Sequence, residues 1–330
     1  MDNQRTVKSH TTDKSEINPY FIVILLLSVA VYFLAPHSDD YSNYQRSFNY
    51  GASSRIEPTF LLFTSITKFI GSGVIILYLL YSIIAVPIKL KAIKELSPYF
   101  AYSLILYVAY FFLLHEVTQI RASVAVAFFL FSIKPLYDRS FKQFIFLTFC
   151  AVLFHYSAFM LIPLWFIKPQ KLNKAFYLVL IPISYIIAGS GLSLTYLISF
   201  VPIPEIQILL EHHSYAMEQG IGDKINIYNL LQLFRCIICG ILILLSDKIV
   251  VKNKYAFILL KLYTISVVTV VLFHDLPVVS FRISEFLGVV EVLVLPFLLY
   301  FFKQKIIVFS PFVLLFLYHS LYNLNLLNIF

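Results

Sequence analysis

Long apolar segments separated by short polar links run through almost the whole chain. The first lies at about 20–35 and ends at Pro36, and nine more follow at about 71–90, 98–115, 119–134, 143–167, 175–199, 227–247, 255–273, 283–302 and 306–324. A helix needs about 20 apolar residues to cross the hydrocarbon core of a bilayer. The pattern therefore predicts an all-α fold, a polytopic integral membrane helical bundle.

Composition excludes the soluble classes of protein. Of the 330 residues, 60% are hydrophobic and only 13% are charged, whereas a soluble domain is nearer half apolar and a quarter charged. The apolar segments use so much of the chain that no separate soluble domain of useful size fits beside them. The three cysteines lack the paired loop spacing of a disulfide scaffold.

The same pattern predicts a polar cytoplasmic tail, 1–18, and a single transmembrane domain, 19–330. No small-x-small cleavage site follows the first apolar segment, so we expect that segment to be retained as a first helix. The links at about 37–70 and 200–226 are expected to be periplasmic loops. A short apolar stretch within the first link, 59–70, is expected to lie in the membrane interface.

Basic residues mark one side of the predicted bundle. Cytoplasmic loops are enriched in Lys and Arg, and six clusters fall on one side if the helices alternate: Arg5/Lys8/Lys14, Lys89/Lys91/Lys94, Lys134/Arg139/Lys142, Lys168/Lys171/Lys174, Lys248/Lys252/Lys254 and Lys303/Lys305. This assignment places the N-terminus in the cytoplasm. The net charge of +8 is spread over these links without forming a basic stripe, which argues against nucleic-acid binding.

The segment 143–167 has a basic cluster at both ends, so it must cross the membrane an even number of times. Each half of the segment reaches only about 18 Å as a helix, against a hydrocarbon core of about 30 Å. We therefore expect a short helical hairpin broken near Phe154-His155. The predicted bundle has nine full spans plus this hairpin, or eleven spans if both legs cross.

With this sidedness, most carboxylates and histidines fall on the outer face, while the deep interior is expected to be nearly free of charge. Five of the seven outward basic residues are arginine, whose planar guanidinium suits phosphate oxygens. Four short motifs carry most of this polarity: Asp39-Asp40-Tyr41-x-x-Tyr44-x-Arg46-x-Phe48 with Glu57-Pro58; Gln119-Ile120-Arg121; Phe154-His155-Tyr156-Ser157-Ala158; and Arg282-Ile283-Ser284-Glu285.

Each motif also has a purely structural interpretation. The acidic motif is compatible with a solvated loop, and Arg121 with a side chain that extends to the lipid head groups. His155 is compatible with a packing residue. Arg282 and Glu285 lie one helical turn apart, so they are able to pair with each other. Such a pair would either join two helices or bind a ligand. Charges within membrane helices are costly, which makes them candidates for function.

In this order, the motifs resemble those of the EpsG-like branch of the Wzy family, the bacterial O-antigen and capsular repeat-unit polymerases. The resemblance runs from about 35 to 300 and rests on Asp40-Tyr41-x-x-Tyr44 with Glu57-Pro58, Gln119-Ile120-Arg121 before an alanine-rich helix, Phe154-His155-Tyr156-Ser157-Ala158, and Arg282-x-Ser284-Glu285. The chain departs from the family at Ala122, where a glutamine is expected. No P-loop, dinucleotide fingerprint or H-E-x-x-H motif occurs in the sequence.

The resemblance implies a glycosyltransferase of the bacterial inner membrane. Such an enzyme polymerises oligosaccharide repeat units carried on undecaprenyl pyrophosphate at the periplasmic face, by transferring the growing chain to the next lipid-linked unit. The product is an O-antigen, a capsule or an exopolysaccharide. Besides membrane lipid, the resemblance implies two protein partners, a repeat-unit flippase and a chain-length regulator.

The implied reaction assigns roles to the motif residues. Negative charge builds on the departing lipid pyrophosphate, so Arg121 and Arg282 are expected to bind it. Tyr41 and Tyr44 are expected to pack on the sugar, and Glu285 to orient Arg282 as part of the substrate-binding set. The acceptor hydroxyl needs a general base, for which the candidates are Asp40, Glu57 and His155. The scheme requires no metal and no other cofactor.

Two other functional classes remain open at this point. A membrane glycosyltransferase that uses a polyprenyl-phosphate sugar, or a ligase-like transferase, would use the same outward arginines without extending a polymer. A lipid-linked oligosaccharide flippase would carry charges along a path across the midplane and show internal repeat symmetry. The expected charge-free interior and the crowding of polar groups at one face favour the polymerase.

Overall fold

The computed structural model describes residues 19–51, 56–191, 215 and 224–323. The predicted tail, 1–18, and nearly all of the predicted loop at 200–226 lie outside the described residues. Within the described ranges every regular element is helical, which confirms the predicted all-α fold class.

The helices follow the predicted apolar segments closely. The α-helices of the described residues are α1 Pro19–Leu34, α2 Tyr41–Tyr50, α3 Pro58–Phe69, α4 Val74–Leu96, α5 Phe100–Leu106, α6 Ile120–Tyr137, α7 Phe141–Phe154, α8 Lys174–Gly189, α9 Leu230–Leu244, α10 Ser246–Val250, α11 Ala256–Leu272, α12 Pro277–Gly288, α13 Glu291–Val294 and α14 Lys305–Asn323. Two π-helical turns, Tyr107–Phe111 and Leu113–Thr118, continue α5. Three 3₁₀ helices occupy Ala35–His37, Tyr156–Phe166 and Leu295–Tyr300.

Five helices in the described part of the chain are long and apolar enough to cross a membrane, and shorter apolar helices accompany them. The five are Tyr20–His37, Val74–Leu96, Phe100–Thr118, Ile120–Tyr137 and Pro277–Tyr300. The chain is therefore a multi-pass membrane protein. The number of spans, nine or eleven, stays a prediction.

Helix α6 lies in the middle of the bundle and positions the site. It packs against α4 and α7, and Gln119, directly before its first residue, donates a hydrogen bond to Glu285 of α12. Ala125 and Ala127 are fully buried in these contacts, because small side chains let membrane helices approach closely. The N-terminus of α6 therefore lies where α7 and α12 also meet.

The predicted break in the 143–167 hairpin is confirmed. Helix α7 ends at Phe154, His155 is extended with φ −156° and ψ 117°, and a 3₁₀ helix begins at Tyr156. The Thr59 hydroxyl donates to the carbonyl of Leu153 at 2.7 Å. The break is thus attached to the start of α3, which brings Glu57 beside His155.

The predicted loop at 37–70 contains regular structure: it forms α2 and α3. Gly51 ends α2 at φ 88°, a left-handed conformation that favours glycine. Pro58 begins α3 at the first helical position, where its missing N–H costs nothing. The apolar stretch predicted at 59–70 is therefore a helix that starts directly after Glu57.

The expectation of an interior nearly free of charge is wrong. Lys89, which charge counting assigned to a cytoplasmic cluster, is fully buried and forms an ion pair with Glu116 at 2.6 Å. Arg235, which is partly buried, forms a second ion pair with the buried Glu291, at 2.6 Å. Lys89 lies seven residues before the end of α4. Its side chain points into the bundle, where the carboxylate of Glu116 compensates the charge.

Candidate functional site

One cavity of about 230 Å³ gathers residues from all four sequence motifs. It is lined by Asp40, Tyr44, His115, Gln119, Arg121, Ala122, Val126, His155, Val278, Phe281, Arg282, Glu285 and Phe286. Six of the eight residues that the sequence singled out are among them. Residues more than 240 positions apart in the chain thus surround one polar space.

Each element presents its candidate residue at the same end of the bundle. Asp40 directly precedes α2, Arg121 lies in the first turn of α6, and His155 follows the last residue of α7. Arg282 lies in the second turn of α12. Because these helix ends meet at the cavity, their polar side chains converge without any polar group being placed deep in lipid.

Glu57 lies behind the cavity wall and joins two of its residues. Its Oε2 accepts from Arg121 Nη1 at 2.5 Å, and its Oε1 is 2.9 Å from His155 Nδ1. The backbone N–H of Tyr156 also donates to Oε1, at 3.4 Å. Glu57 is 2% exposed, so this carboxylate holds the two side chains and does not face the open cavity.

The surroundings of Glu57 keep it ionised. Burial alone would raise the pKa of this carboxyl, but the hydrogen bond with His155 and the charge of Arg121 together outweigh burial and lower the pKa from 4.5 to about 2. A carboxylate with so low a pKa accepts a proton poorly near neutral pH. It is well suited to stabilise positive charge on its two neighbours.

The contacts of His155 define which ring nitrogen carries its proton. Arg282 Nη1 is 3.1 Å from Nε2, and a guanidinium can only donate. Nε2 is therefore the acceptor, and Nδ1 carries the proton that it donates to Glu57. Arg282 also donates to the hydroxyl of Ser157, at 3.3 Å, so the sequence Phe154-His155-Tyr156-Ser157-Ala158 contributes two partners to one arginine.

Glu285 lines the cavity but has a different partner from the one expected. Its Oε2 accepts from Gln119 Nε2 at 3.1 Å. Arg282 is turned towards His155 and Ser157, and the pair Arg282–Glu285 is not among the ion pairs of the described residues. The interpretation of Glu285 as the residue that orients Arg282 therefore lacks a direct contact, although both side chains face the same cavity.

The two tyrosines of the first motif have separate positions. Tyr44 lines the cavity, and the Arg121 guanidinium lies 5.6 Å from its ring centroid and 5.6 Å from that of Phe60. Tyr41 packs against Tyr78 with ring centroids 5.7 Å apart and is not a lining residue. Tyr44 thus helps to hold Arg121 in place, whereas Tyr41 belongs to the packing behind it.

Sequence reasoning gave no role to His115, a cavity residue that is 1% exposed. The only sign of it in the sequence was its position directly before Glu116 and four residues before Gln119. The direction in which the His115 side chain points depends on π-helical turns, which hydrophobic periodicity does not reveal. Among the described residues, no group of three or more His, Cys, Asp or Glu side chains is placed to hold a metal ion.

The apolar helices, with a polar cavity that is lined by two arginines at one end of the bundle, define a multi-pass membrane protein. The sequence matches the model of the EpsG family over residues 17–328. The chain therefore belongs to the EpsG family, which associates it with membrane polysaccharide polymerase-like function. No curated protein and no solved structure matches it.

Proposed function

We propose that this protein is a glycosyltransferase that polymerises undecaprenyl-pyrophosphate-linked oligosaccharide repeat units at the periplasmic face of the inner membrane. The product would be an O-antigen, a capsule or an exopolysaccharide. The observation that carries the proposal is that Arg121, Arg282 and His155 line one cavity. Family membership supports the same class of reaction.

The two arginines suit the departing pyrophosphate. Arg121 uses Nη1 for Glu57, which leaves other N–H groups of its planar fork for phosphate oxygens. Arg282 is exposed and held by two neutral partners, so an anion is able to draw it away from them. Removing one fixed donor of this kind commonly costs about 2.7–4 kcal/mol of transition-state stabilisation.

Of the three candidates we assign the general base to His155, whose Nε2 is the acceptor atom beside Arg282 in the cavity. Its Nε2 lone pair becomes free when Arg282 turns to the pyrophosphate. The acceptor hydroxyl then gives its proton to Nε2 while its oxygen bonds to the anomeric carbon, and the bond from that carbon to the pyrophosphate oxygen breaks with its electron pair. Glu57, fixed on Nδ1 at 2.9 Å, stabilises the imidazolium that forms.

The position of the cavity supports a reaction on the side opposite to the basic links. Arg121 lies in the first turn of α6, an 18-residue helix about 27 Å long, and Arg139 and Lys142 follow the other end of that helix. Lys94 Nζ lies 4.4 Å from the ring centroid of Tyr20, so the start of α1 lies on the basic side as well. By the positive-inside rule the basic side is cytoplasmic, and the cavity is then periplasmic.

A flippase remains the second candidate because the interior contains charge. The pairs Lys89–Glu116 and Arg235–Glu291 are intramembrane charges of the kind that transporters carry. Both pairs are closed by direct contacts at 2.6 Å, whereas Arg121 and Arg282 line a cavity at one end of the bundle. A one-sided reaction explains this distribution better than a path across the midplane.

A deletion strain separates these functions. If the protein is the polymerase, the strain should display surface glycan with a single repeat unit, and the wild-type gene should restore the ladder of longer chains on a silver-stained gel. Complete absence of surface repeats would instead indicate a flippase or a ligase. Retention of the full ladder without the gene would refute the proposal.

A further inference from the structure

A buried charged cluster lies against the wall of the cavity and includes His115, one of its lining residues. Lys89 Nζ donates to Glu116 Oε1 at 2.6 Å, lies 3.4 Å from Ser123 Oγ, and lies 3.4 Å from His115 Nδ1. The Ser123 hydroxyl donates to the same Glu116 oxygen at 2.9 Å. Three helical segments, α4, the second π-helical turn and α6, therefore supply one network.

The cluster is more than a clamp between helices. The side chains of Lys89 and Glu116 are both 0% exposed. Apolar side chains of similar volume would often hold two helices together equally well or better, because two buried charges lose their hydration. Arg235 and the buried Glu291 form another ion pair in the bundle, but Lys89 additionally contacts His115, a residue of the cavity. An ion pair that only joined two helices would not need the contact between Lys89 and His115.

The ammonium group determines the protonation of His115. An ammonium can only donate, so His115 Nδ1 must be an unprotonated acceptor. The ring is then neutral, and its proton is on Nε2, the nitrogen away from Lys89. His115 is a lining residue of the cavity, so it offers a fixed, uncharged N–H donor there.

The π-helical turn explains how the donor is aimed. His115 lies within Leu113–Thr118, the second of two π-helical turns that follow α5. Such turns are rare and occur frequently at functional sites. Here the turn allows Glu116 to point into the Lys89 cluster while the preceding residue borders the cavity.

Other lining residues of the same cavity complement a sugar. Gln119 and Glu285 are hydrogen-bonded to each other and supply amide and carboxylate groups, while Phe281 and Phe286 supply apolar surface. Sugar hydroxyls both donate and accept, and their ring faces pack on aromatic side chains. The arginines line the same cavity, so the sugar nearest to the pyrophosphate would reach this part.

We propose that His115, fixed by the Lys89–Glu116 pair, binds a hydroxyl of the sugar that is attached to the lipid pyrophosphate. His115 Nε2 donates to the hydroxyl oxygen, and Lys89 is a positioning residue that acts through His115. This inference rests on the proposed function. It assigns the lining around His115 to sugar and the arginines to phosphate.

Binding of two lipids tests the assignment. The probes are undecaprenyl pyrophosphate alone and the same lipid carrying its oligosaccharide, with purified full-length protein in detergent. For His115→Phe we expect binding of the sugar-bearing lipid to weaken roughly 5- to 100-fold, because the hydroxyl loses its donor, with binding of the sugar-free lipid unchanged. His115→Gln, whose amide nitrogen replaces Nε2–H, should retain most of the affinity, whereas His115→Asn should not.

The binding results distinguish the role of His115 from that of Lys89. Equal weakening for both lipids, or no weakening for either, would overturn the role of His115. The double variant Lys89→Met with Glu116→Gln removes both buried charges together and should weaken only the sugar-bearing lipid; unchanged affinity would overturn the positioning role of Lys89. Failure of the wild-type protein to bind either lipid would overturn the proposed function and this inference with it.

Discussion

Replacing Glu57 by glutamine changes the cavity without changing its shape. The side chain keeps its volume, but one carboxylate oxygen becomes an NH₂ group. If the remaining oxygen accepts from Arg121, the NH₂ group faces His155 Nδ1, which must then accept. The His155 proton moves to Nε2, where it meets Arg282 and no longer leaves a lone pair for the acceptor hydroxyl.

The loss of stability expected for Glu57→Gln follows from the contacts that Glu57 makes. Charge-assisted hydrogen bonds are worth about 1.5–3 kcal/mol and neutral ones about 0.5–1.5 kcal/mol, so weakening the two bonds to Arg121 and His155 costs about 2–3 kcal/mol. The lowering of the Glu57 pKa from 4.5 to about 2 corresponds to a similar value, about 3 kcal/mol. Loss of the base itself removes about 10²- to 10⁴-fold in rate.

The assay is the length distribution of surface polymer in a complemented deletion strain, together with single-turnover transfer by purified protein. Glu57→Gln should lose the ladder, and its melting temperature in detergent should fall by several degrees. Glu95→Gln is the matched control, because Glu95 pairs with Lys134 at 3.6 Å in a more exposed position and should cost little. A full ladder from Glu57→Gln would refute the assignment of His155 as the base.

Substitutions of Arg121, His155 and Arg235, together with a change of pH, test four further expectations. Arg121→Lys should lose most of the polymer although the charge is kept, because the bidentate fork is gone; a full ladder would contradict this. His155→Gln and His155→Ala should both lose activity, and near-normal polymer from both would make it a packing residue. Arg235→Met should destabilise the protein by about 3–5 kcal/mol in thermal unfolding by leaving Glu291 unpaired, and the double variant Arg235→Met with Glu291→Leu should recover most of that loss. Ionised Glu57 stabilises the fold above about pH 4.5 and loses this effect as the pH falls towards 2, so the melting difference between wild type and Glu57→Gln should shrink on acidification.

The helices were predictable because a bilayer imposes length and apolarity on each segment. The 143–167 segment shows how far this reasoning reaches. Basic clusters at both of its ends required a break in the helix, and the helix ends directly before His155. The links were less predictable. The 37–70 link contains a polar helix, α2, whose side chains Tyr44 and Phe48 are buried by tertiary contacts that hydropathy does not encode.

Lys89 shows why counting charges by sequence position fails for a single residue. Lys91 and Lys94 lie nearby in the same helix, yet Lys89 is fully buried whereas Lys94 is exposed. The direction of a side chain around a helix depends on its neighbours, here Glu116 and Ser123. Each of these contacts joins residues more than 25 positions apart, beyond the reach of local patterns.

The candidate site was partly visible in the sequence because its motifs fall at one set of helix ends. Their convergence on one cavity follows from that placement, but the pairings do not. Glu57 was an open candidate for the base, and its contacts with Arg121 and His155 indicate a supporting role. Glu285 was expected beside Arg282 and instead accepts from Gln119, because its position one turn away leaves several orientations open.

The central claim is that Arg121 and Arg282 together hold the pyrophosphate of a lipid carrier. The most direct measurement is the affinity of purified wild-type, Arg121→Gln and Arg282→Gln proteins for undecaprenyl pyrophosphate and for undecaprenol, which lacks the anion. Each substitution should weaken binding of the pyrophosphate lipid about 10- to 100-fold and leave binding of undecaprenol unchanged. Equal affinity of all three proteins for undecaprenyl pyrophosphate would contradict the claim.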